Sequence, residues 1–291
     1  MDIKELCAFF EKEHQNVKKD DETYIRIMSS NVYGDGCVSV EFDWTNEDRT
    51  DILSAVYLTF LPDFIGMQEV GEGQMQRFTE RLKDVYAPAI TPTGRYQNNP
   101  TEDGRRVNHC FIPIFYNKHK YEQITSHYRL FYVKGMWGFH WALYRSKENP
   151  ELKFIHANMH PSSHGERNIP NFTEMRRELV HLRRHYPRIP IFVTGDYNCH
   201  CEHPNFKVML DGLNMQTGML LAEDIEPNGT DYWCHLIGST ELQKCGTAID
   251  HISVTEDLVN VKVHRVLYNE LLCKSSDHCS RFLDVEIKTP N

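Results

Sequence analysis

The fold is decided by the stretch Ile191-Phe192-Val193-Thr194-Gly195-Asp196-Tyr197-Asn198. Its run of β-branched and aromatic residues, bounded by Pro190 and Gly195, predicts a buried strand. Asp196 and Asn198 are two positions apart, so in an extended chain their side chains point to one face. At the end of a strand, the carboxylate can orient a water, and the amide can donate a hydrogen bond to a phosphoryl oxygen. In an Asx-type turn they would only bond their own backbone.

Three further segments bring polar side chains to the end of a predicted strand in the same way. Residues 25–31 end at Asn31, residues 63–69 end at Glu69, and Ser276-Asp277-His278 precedes the final strand at 281–287. Each motif alone is a weak signal. Their recurrence favours a functional site at these strand ends over separate turns.

The full series in chain order is Asn31, Gln68-Glu69, His160, Gly195-Asp196-Tyr197-Asn198, Asp250 and Ser276-Asp277-His278. It resembles the endonuclease/exonuclease/phosphatase superfamily, metal-dependent phosphoesterases that include pancreatic deoxyribonuclease, abasic-site endonucleases, neutral sphingomyelinases and inositol-polyphosphate phosphatases. The resemblance covers residues 25 to 287. It implies a four-layer α/β/β/α sandwich of two mixed sheets flanked by helices, in agreement with the predicted alternation of strands and helices.

The predicted elements describe one domain with a short extension. Ile3, Leu6, Phe10 and Val17 have near-helical spacing, so an amphipathic helix precedes the first strand. We therefore interpret residues 1–24 as an N-terminal helical extension packed on the body, and residues 25–291 as a single domain. Further helices are predicted at 48–60, 74–86, 171–186 with Asn171 as the cap, and 205–213.

The bulk composition limits the classes of function. The net charge is −9, from 41 acidic and 32 basic residues, so no global positive field gathers a long polyanion such as duplex DNA. Nine cysteines without a repeating spacing predict reduced thiols. Neither a signal peptide nor a membrane span is indicated, and a cytoplasmic location is expected.

The resemblance implies a metal centre. In the superfamily, the glutamate of the Gln-Glu pair is the principal ligand of Mg²⁺, and here that residue is Glu69. Asn31 matches the asparagine near the same ion, and Asp277 is expected near it as well. Oxygen ligands are what Mg²⁺ prefers, and Mn²⁺ is the expected substitute.

The resemblance also implies catalytic roles. His278 would accept a proton from the attacking water, and Asp250 would orient its imidazole. Asn198 and His160 would donate to the developing negative oxygens, although Pro161 after His160 departs from the family pattern. Asp196 has two open roles, as the base that orients the water or as a ligand of a second ion.

Substrate contacts are expected from the long polar loop at 91–109. Its Arg105 and Arg106 are predicted to bind substrate phosphate, with solvated surface arginines as the bland alternative. Trp137, Phe139, Tyr232 and Trp233 would stack on a base or an apolar group, or else belong to the core. The cluster Cys199-His200-Cys201-Glu202-His203 does not have zinc-site spacing, so zinc is not predicted.

The favoured function is a Mg²⁺-dependent hydrolase that cleaves a phosphoester bond, in a small-molecule or lipid-derived diester or monoester, by in-line attack of an activated water. The alternative is a nuclease or DNA-repair phosphodiesterase of the same superfamily, which the net charge disfavours but for which a local basic groove would suffice. A non-catalytic binding member is the third hypothesis. The sequence leaves the oligomeric state open.

Overall fold

In the computed structural model of the protein, the described residues are 1–13, 21, 23–34, 45–89, 111–131, 138–163, 165–225, 232–233, 244–245, 248–269 and 271–288. Two large mixed sheets face each other across an inner core, and helices cover the outer face of each sheet. The predicted fold class, a four-layer α/β/β/α sandwich, is confirmed.

Helices of the described chain lie on the outer faces of the two sheets. They are α1 (Ile3–Glu13), α2 (Asn46–Phe60), α3 (Glu72–Leu82), α4 (Gly165–His185) and α5 (Pro204–Leu210). Two short 3-10 turns follow at Gly218–Leu220 and Leu272–Lys274. The start of α2 is fixed by a capping box, in which Thr45 and Asp48 each accept a hydrogen bond from the other's backbone N–H.

The strands are β1 (Ile25–Asn31), β2 (Phe64–Gln68), β3 (Tyr86–Pro88), β4 (Ile114–Asn117), β5 (Tyr121–Leu130), β6 (Gly138–Ser146), β7 (Lys153–Met159), β8 (Ile191–Asp196), β9 (Met215–Thr217), β10 (Asp224–Ile225), β11 (Tyr232–Trp233), β12 (Lys244–Cys245), β13 (Asp250–Thr255), β14 (Val259–Val266) and β15 (Arg281–Ile287). The first sheet has the order β10-β14-β15-β1-β2-β4-β3 and the second β5-β6-β7-β8-β13-β9, while β11 and β12 form a separate pair.

Parallel strand pairs at the centre of each sheet bring the polar ends of neighbouring strands together. In the first sheet β1 pairs in parallel with β2, and Asn31 lies opposite Gln68. In the second sheet β7 pairs in parallel with β8, which pairs antiparallel with β13 so that Asp196 lies opposite Asp250. The carboxyl ends of parallel strands share one edge, so the polar strand ends of both sheets meet there.

The face of each central strand that looks into the inner core changes character along its length. One end is apolar: Ile25, Ile27, Phe64, Phe154, Phe192, Ile252, Val254, Leu283 and Val285. The other end is buried and polar: Ser29, Asn31, Gln68, His140, His156, Asn158, His160, Thr194, Asp196, Asp250 and Arg281. We call these the apolar end and the polar end of the inner layer. Both polar and apolar sets follow the two-residue period of a strand.

The two sheets approach closely at Gly66. A Cβ at that position would lie 1.8 Å from the Thr194 hydroxyl oxygen, so no larger residue fits without moving the sheets apart. Asn158 bridges the sheets beside it, because its side-chain oxygen accepts from Gln68 Nε2 at 2.6 Å and from the Thr194 hydroxyl at 3.1 Å. The polar end is therefore cross-linked by hydrogen bonds between sheets.

Several predicted boundaries change in the structure. Strand β14 was not predicted, although Val259, Val261 and Val263 alternate with more exposed polar residues along it. Helix α4 begins at Gly165, and the prediction that Asn171 caps it is wrong. The Asn171 side chain instead accepts from the backbone N–H of Ser162 at 2.9 Å. Helix α3 ends at Leu82, short of the predicted residue 86.

The N-terminal helix packs on the body as expected. Leu6 and Phe10 of α1 are buried in the same cluster as Ile52 and Val56 of α2. The division into an extension at 1–24 and one domain at 25–291 stays a prediction. No helix in the described ranges has the length and apolar composition needed to cross a bilayer.

Candidate active site

Asn31 and Glu69 reach the polar end from the first sheet. Glu69 follows β2 directly and adopts a left-handed backbone conformation, with φ of 58°. For a residue other than glycine this costs about 1–3 kcal/mol and is typical of functional positions. Asn31 Nδ2 donates to Glu69 Oε1 at 3.2 Å and to Asp196 Oδ2 at 3.1 Å. The amide therefore joins carboxylates from both sheets.

His160 and Asp196 come from the second sheet. His160 Nε2 lies 3.4 Å from Asp196 Oδ2 and 3.6 Å from Glu69 Oε1, and the imidazole is buried. Glu69, His160 and Asp196 thus present three potential metal ligand atoms to one point. The strand-end series predicted this convergence, which the sheet pairing produces.

The hydrogen bond expected between His278 and Asp250 is present, with 2.9 Å between Nδ1 and Oδ2. The other ring nitrogen, Nε2, lies 3.8 Å from Asp196 Oδ2 and 3.9 Å from Asp277 Oδ1. Arg281 lies behind the pair, with 3.6 Å between its Nη2 and Asp250 Oδ2. The imidazole is held from one side and faces the carboxylates with the other.

Asp277 has the environment expected of a cation ligand. Its Oδ1 is buried and makes no hydrogen bond within the described residues. Burial, with smaller contributions from Glu69 and Asp196, raises its pKa to about 6 although His278 opposes the shift. A carboxylate held at such electrostatic cost, with Glu69 nearby, fits a hard divalent cation that takes oxygen ligands. The donor set therefore fits Mg²⁺ or Mn²⁺.

Asn31 fits the cation less directly than Glu69 and Asp277. Its side-chain oxygen accepts from the backbone N–H of Tyr33 at 3.1 Å, and its nitrogen faces the carboxylates. An amide oxygen has a second lone pair, so the Tyr33 contact leaves room for one more partner. Through these hydrogen bonds, Asn31 orients the carboxylates of Glu69 and Asp196.

Opposing effects set the ionisation of the central pair. Burial alone would raise the pKa of Asp196, but the hydrogen bond from His160 and the charge of His278 lower it to about 2. Burial alone would lower the pKa of His278, but Asp250, Asp196 and Asp277 together raise it well above its ordinary value. Asp196 therefore stays ionised at neutral pH, and the protonated imidazole is favoured among uncompensated carboxylates.

Asn198 lies beside these groups and makes other contacts. Its backbone φ is 51°, a conformation that asparagine tolerates, and its N–H donates to Asp196 Oδ1 at 2.8 Å. Its side-chain nitrogen donates to the Pro161 carbonyl at 3.0 Å. The structure thus joins the loop after β8 to the residue that follows His160. The bond from the backbone of residue 198 to the side chain of residue 196 is the Asx-type contact.

The predicted substrate contacts fall largely outside the described residues. Arg105, Arg106 and Trp137 lie there, as do the side chains of Tyr232 and Trp233. Phe139 is described and fully buried, where it packs against Phe131 in the outer core of the second sheet. Of the two roles open to Phe139, the structure assigns the core.

The cysteine-rich segment after Asn198 has structural contacts. Cys199 is buried, and burial raises the pKa of its thiol to about 12. His203 accepts from the Asn205 N–H at the start of α5. Within the described chain, neither residue belongs to a cluster that could hold a metal.

Two buried arginines beside the site were not predicted. Arg281 adjoins Asp250, and Arg49 from α2 donates to backbone carbonyls next to Asn31. Arg281 is the first residue of a predicted strand, and the two-residue period of that strand places it on the inner face with Leu283 and Val285, beside Asp250. Arg49 gives no comparable signal, because an arginine in an amphipathic helix is usually solvated.

The site therefore combines an anionic oxygen cluster, a histidine held by a carboxylate, and further amide and imidazole donors at one edge of the sandwich. Such a set can bind a divalent cation, orient a water, and move a proton at His278.

Comparison with known proteins agrees with this geometry. Residues 28–278 match the model of the Endonuclease/Exonuclease/phosphatase family. No curated relative matches the chain.

Solved structures of similar fold cover most of the chain. An endonuclease/exonuclease/phosphatase from Bacteroides vulgatus has a TM-score of 0.72 at 22% identity, over 92% of this chain and 100% of its own. A mannosyl-6-phosphatase from Bacteroides thetaiotaomicron has 0.70 at 15%, over 91% and 100%. The human nocturnin catalytic domain, with a bound sulfate anion, has 0.70 at 20%, over 93% and 97%. At these identities the likeness establishes the fold.

Proposed function

Because this chain belongs to the endonuclease/exonuclease/phosphatase family, we propose that it is a Mg²⁺-dependent hydrolase of phosphoester bonds. The proposed substrate is a small-molecule or lipid-derived phosphodiester or phosphomonoester. The reaction is in-line attack by a water, in which a new oxygen-phosphorus bond forms as the ester bond breaks. The alcohol of the ester is the leaving group.

The observation that carries the proposal is the orientation of His278. Asp250 holds Nδ1 at 2.9 Å, so Nε2 is left to face Asp196 and Asp277. A general base must be fixed in tautomer and direction before it can take a proton from water. In the proposed reaction, Nε2 of neutral His278 accepts the proton of the attacking water, and Asp250 stabilises the imidazolium that forms.

The other groups would position the reactants. Asp196 is ionised and can only accept hydrogen bonds, so it would orient the attacking water. His160, between Asp196 and Glu69, would donate to a phosphoryl oxygen or to the leaving oxygen. Asn31 would keep the Glu69 and Asp196 carboxylates in register through its two hydrogen bonds.

Glu69 and Asp277 would hold the cation, with Asn31 beside them. Bound there, Mg²⁺ would offset negative charge on the phosphoryl and leaving oxygens and, by compensating the carboxylates, favour the neutral form of His278.

A small substrate is supported by the charge of the chain. The net charge of −9 opposes the accumulation of long polyanions. On α4, Arg176 donates to the Val208 carbonyl and Arg183 pairs with Asp257, so these arginines make contacts within the protein surface. Among the structural neighbours, one is a mannosyl-6-phosphatase and another holds a sulfate. A nuclease remains the alternative because a local basic groove would suffice for it.

The test is a substrate panel with purified protein. Chromogenic phosphodiesters and phosphomonoesters, phospholipids, nucleotides and plasmid DNA are compared by catalytic efficiency with Mg²⁺ or Mn²⁺, with and without excess chelator. The proposal expects metal-dependent turnover and a preference for a small or lipid-derived ester. Undiminished turnover in chelator contradicts the metal dependence, and a clear preference for plasmid DNA supports the nuclease instead.

A further inference from the structure

The first sheet contributes its site residues on two neighbouring loops. Asn31 ends β1 and leads into residues 32–34, which we call the first loop. Asp277 and His278 lie in residues 275–280, ahead of β15, which we call the second loop. Because the two loops belong to antiparallel neighbours in one sheet, the distance between Asn31 and His278 depends on how the loops are held together.

Arg49 donates to backbone carbonyls of both loops. Its Nη2 donates to Val32 O at 2.7 Å and to Tyr33 O, and its Nε donates to Ser275 O at 2.9 Å. The side chain is fully buried, and its guanidinium lies 5.5 Å from the centre of the Tyr33 ring. A planar group with donors in several directions can bridge two segments in a way that the point charge of lysine cannot.

Ser276 makes a second connection between the loops. Its hydroxyl donates to Asn31 O at 2.7 Å and accepts from the backbone N–H of His278 at 3.1 Å. One buried hydroxyl therefore joins the backbones of two site residues. A third link lies just below, where the Ser30 and Ser280 hydroxyls are 2.7 Å apart.

The helix segment that carries Arg49 is firmly held in the fold. It lies in the first turns of α2, next to the capping box of Thr45 and Asp48. Ile52 and Val56 of the same helix are buried in the outer core of the first sheet. Because α2 is held in this way, the hydrogen bonds of the Arg49 guanidinium fix both loops relative to the helix.

A buried arginine is a poor choice if stability alone matters. Removing a charge from water is costly, and apolar residues of similar volume often stabilise a fold as well or better. The guanidinium instead makes directional hydrogen bonds, and each of them fixes a backbone carbonyl beside a site residue. Misplacement by about 1 Å can cost on the order of 100-fold in rate.

We propose that Arg49 and Ser276 are positioning residues that lock the first loop to the second, and so set where Asn31 stands relative to Asp277 and His278. The bonds that both side chains make to the two loops involve backbone atoms, so both residues act through the backbone. The consequence for turnover rests on the proposed function, but the lock itself is a structural property that can be measured without a substrate.

The first experiment compares Arg49→Lys with Arg81→Lys. Arg81 on α3 pairs with Glu47 and Asp51 of α2, the helix that carries Arg49, so its variant is the matched control for a weakened α2. Hydrogen exchange is followed by mass spectrometry in peptides that cover the two loops. The expected result is faster exchange in both loops for Arg49→Lys and in neither for Arg81→Lys. Unchanged exchange of the second loop in Arg49→Lys overturns the proposal.

The second experiment measures the site. Mn²⁺ affinity is determined by electron paramagnetic resonance without substrate, and kcat and KM are measured on the ester that the wild-type protein turns over best. For Arg49→Lys and Ser276→Ala we expect a loss of about 10–100-fold in Mn²⁺ affinity or kcat, with KM nearly unchanged. A variant that loses thermal stability like Arg81→Lys, yet keeps wild-type Mn²⁺ affinity and kcat, contradicts a positioning role.

The double variant tests whether the two residues act on one lock. If Arg49 and Ser276 hold the same pair of loops, the combined loss in Mn²⁺ affinity is smaller than the product of the single losses. Independent, multiplicative losses contradict a shared lock. If Arg49→Lys does not fold, the proposal is tested with Ser276→Ala, which removes only one hydroxyl. Faster hydrogen exchange of the second loop in that variant supports the lock, and unchanged exchange overturns it. A wild-type protein that binds Mn²⁺ but hydrolyses no ester refutes the proposed function and leaves the loop measurement valid.

Discussion

The two ends of the inner layer are made from the same strands and opposite kinds of side chain. On β7, Phe154 faces the inner layer at the apolar end and Asn158 faces it at the polar end, followed by His160 directly after the strand. The apolar end gains free energy from burial alone, which tolerates small shifts between the sheets. The polar end needs a partner for every buried group, and each hydrogen bond requires a particular distance and direction.

The apolar end therefore stabilises the sandwich, and the polar end fixes the geometry of the site. Ring contacts such as Phe154 with Phe192, 6.2 Å between centroids, hold the sheets together at one end. At the other end, hydrogen bonds such as that from Gln68 to Asn158 set the register of the sheets beside Glu69. Substitutions at the apolar end should change stability alone, and those at the polar end should change chemistry with or without stability.

The largest effect is expected from His278→Asn, which removes the proposed base at the polar end. General base catalysis contributes about 10²–10⁴-fold, so kcat/KM should fall by that order. The melting temperature should change little, since asparagine can still donate to Asp250. Steady-state kinetics and thermal unfolding check both parts, with His181→Asn on the exposed face of α4 as the control. A variant with wild-type kinetics removes His278 from the mechanism.

Phe154→Ala tests the apolar end of the same strand. The phenyl ring is fully buried, with centroids 5.8 Å from Tyr121 and 6.2 Å from Phe192. The free energy of unfolding should fall by about 3–5 kcal/mol, as measured by urea denaturation. The kcat of the remaining folded enzyme should stay at the wild-type level. A disproportionate fall in kcat would show that the two ends are not separable, and Phe154→Leu provides a milder version.

Asn158→Leu sharpens the comparison because leucine is apolar at nearly the same volume. The substitution leaves Gln68 Nε2 without its 2.6 Å acceptor and Met67 O without its 2.6 Å donor. Gln68 Nε2 keeps its bond to Gly66 O at 3.1 Å, so the cost is that of the lost hydrogen bonds, about 0.5–1.5 kcal/mol each. Both stability and kcat should fall, since Gln68 directly precedes Glu69. Asn260→Leu at the surface is the control, and an unchanged kcat in Asn158→Leu would argue against a functional register.

A pH dependence of stability is expected from four buried histidines. Burial lowers the pKa of His140 and His251 to about 4, and of His156 and His264 to about 3. Their ordinary pKa is 6.5, so on acidification the unfolded chain takes up protons that the native state refuses. Stability present above pH 6.5 is therefore lost as the pH falls toward 4 and then 3.

Melting temperatures measured from neutral to mildly acidic pH check this expectation. The decline should be shallower in a His264→Leu variant, which removes one of the four groups. A flat profile in the wild-type protein would contradict neutral buried histidines.

Local signals were sufficient to predict strands such as β8 and the polar residues at their ends. The apolar run at 191–194 and the polar residues after it are adjacent in the chain, and β8 and Asp196 appear where expected. The alternation of Val259, Val261 and Val263 is an equally local signal, and it indicates β14. The four-layer arrangement followed from the family resemblance.

The contacts that depend on sheet order could not be predicted. Arg49 and Ser275 are 226 positions apart, and they meet because α2 packs on the sheet in which β1 pairs with β15. Asn171 has the residue type of a helix cap, yet its partner is Ser162 on a loop that precedes α4. Such roles depend on tertiary neighbours, which periodicity and residue type do not report.

The central claim is that the polar end is a cation-dependent phosphoesterase centre in which Glu69 is the principal cation ligand. The most direct measurement is the rate of ester hydrolysis as a function of Mn²⁺ concentration for the wild-type protein, Glu69→Gln and Glu72→Gln. Glu72 is exposed at the start of α3, three positions away, so its variant makes the same charge change outside the site. We expect saturable activation of the wild-type protein and Glu72→Gln, and little activity of Glu69→Gln at any Mn²⁺ concentration. Equal rates and equal half-saturation in all three proteins would contradict it.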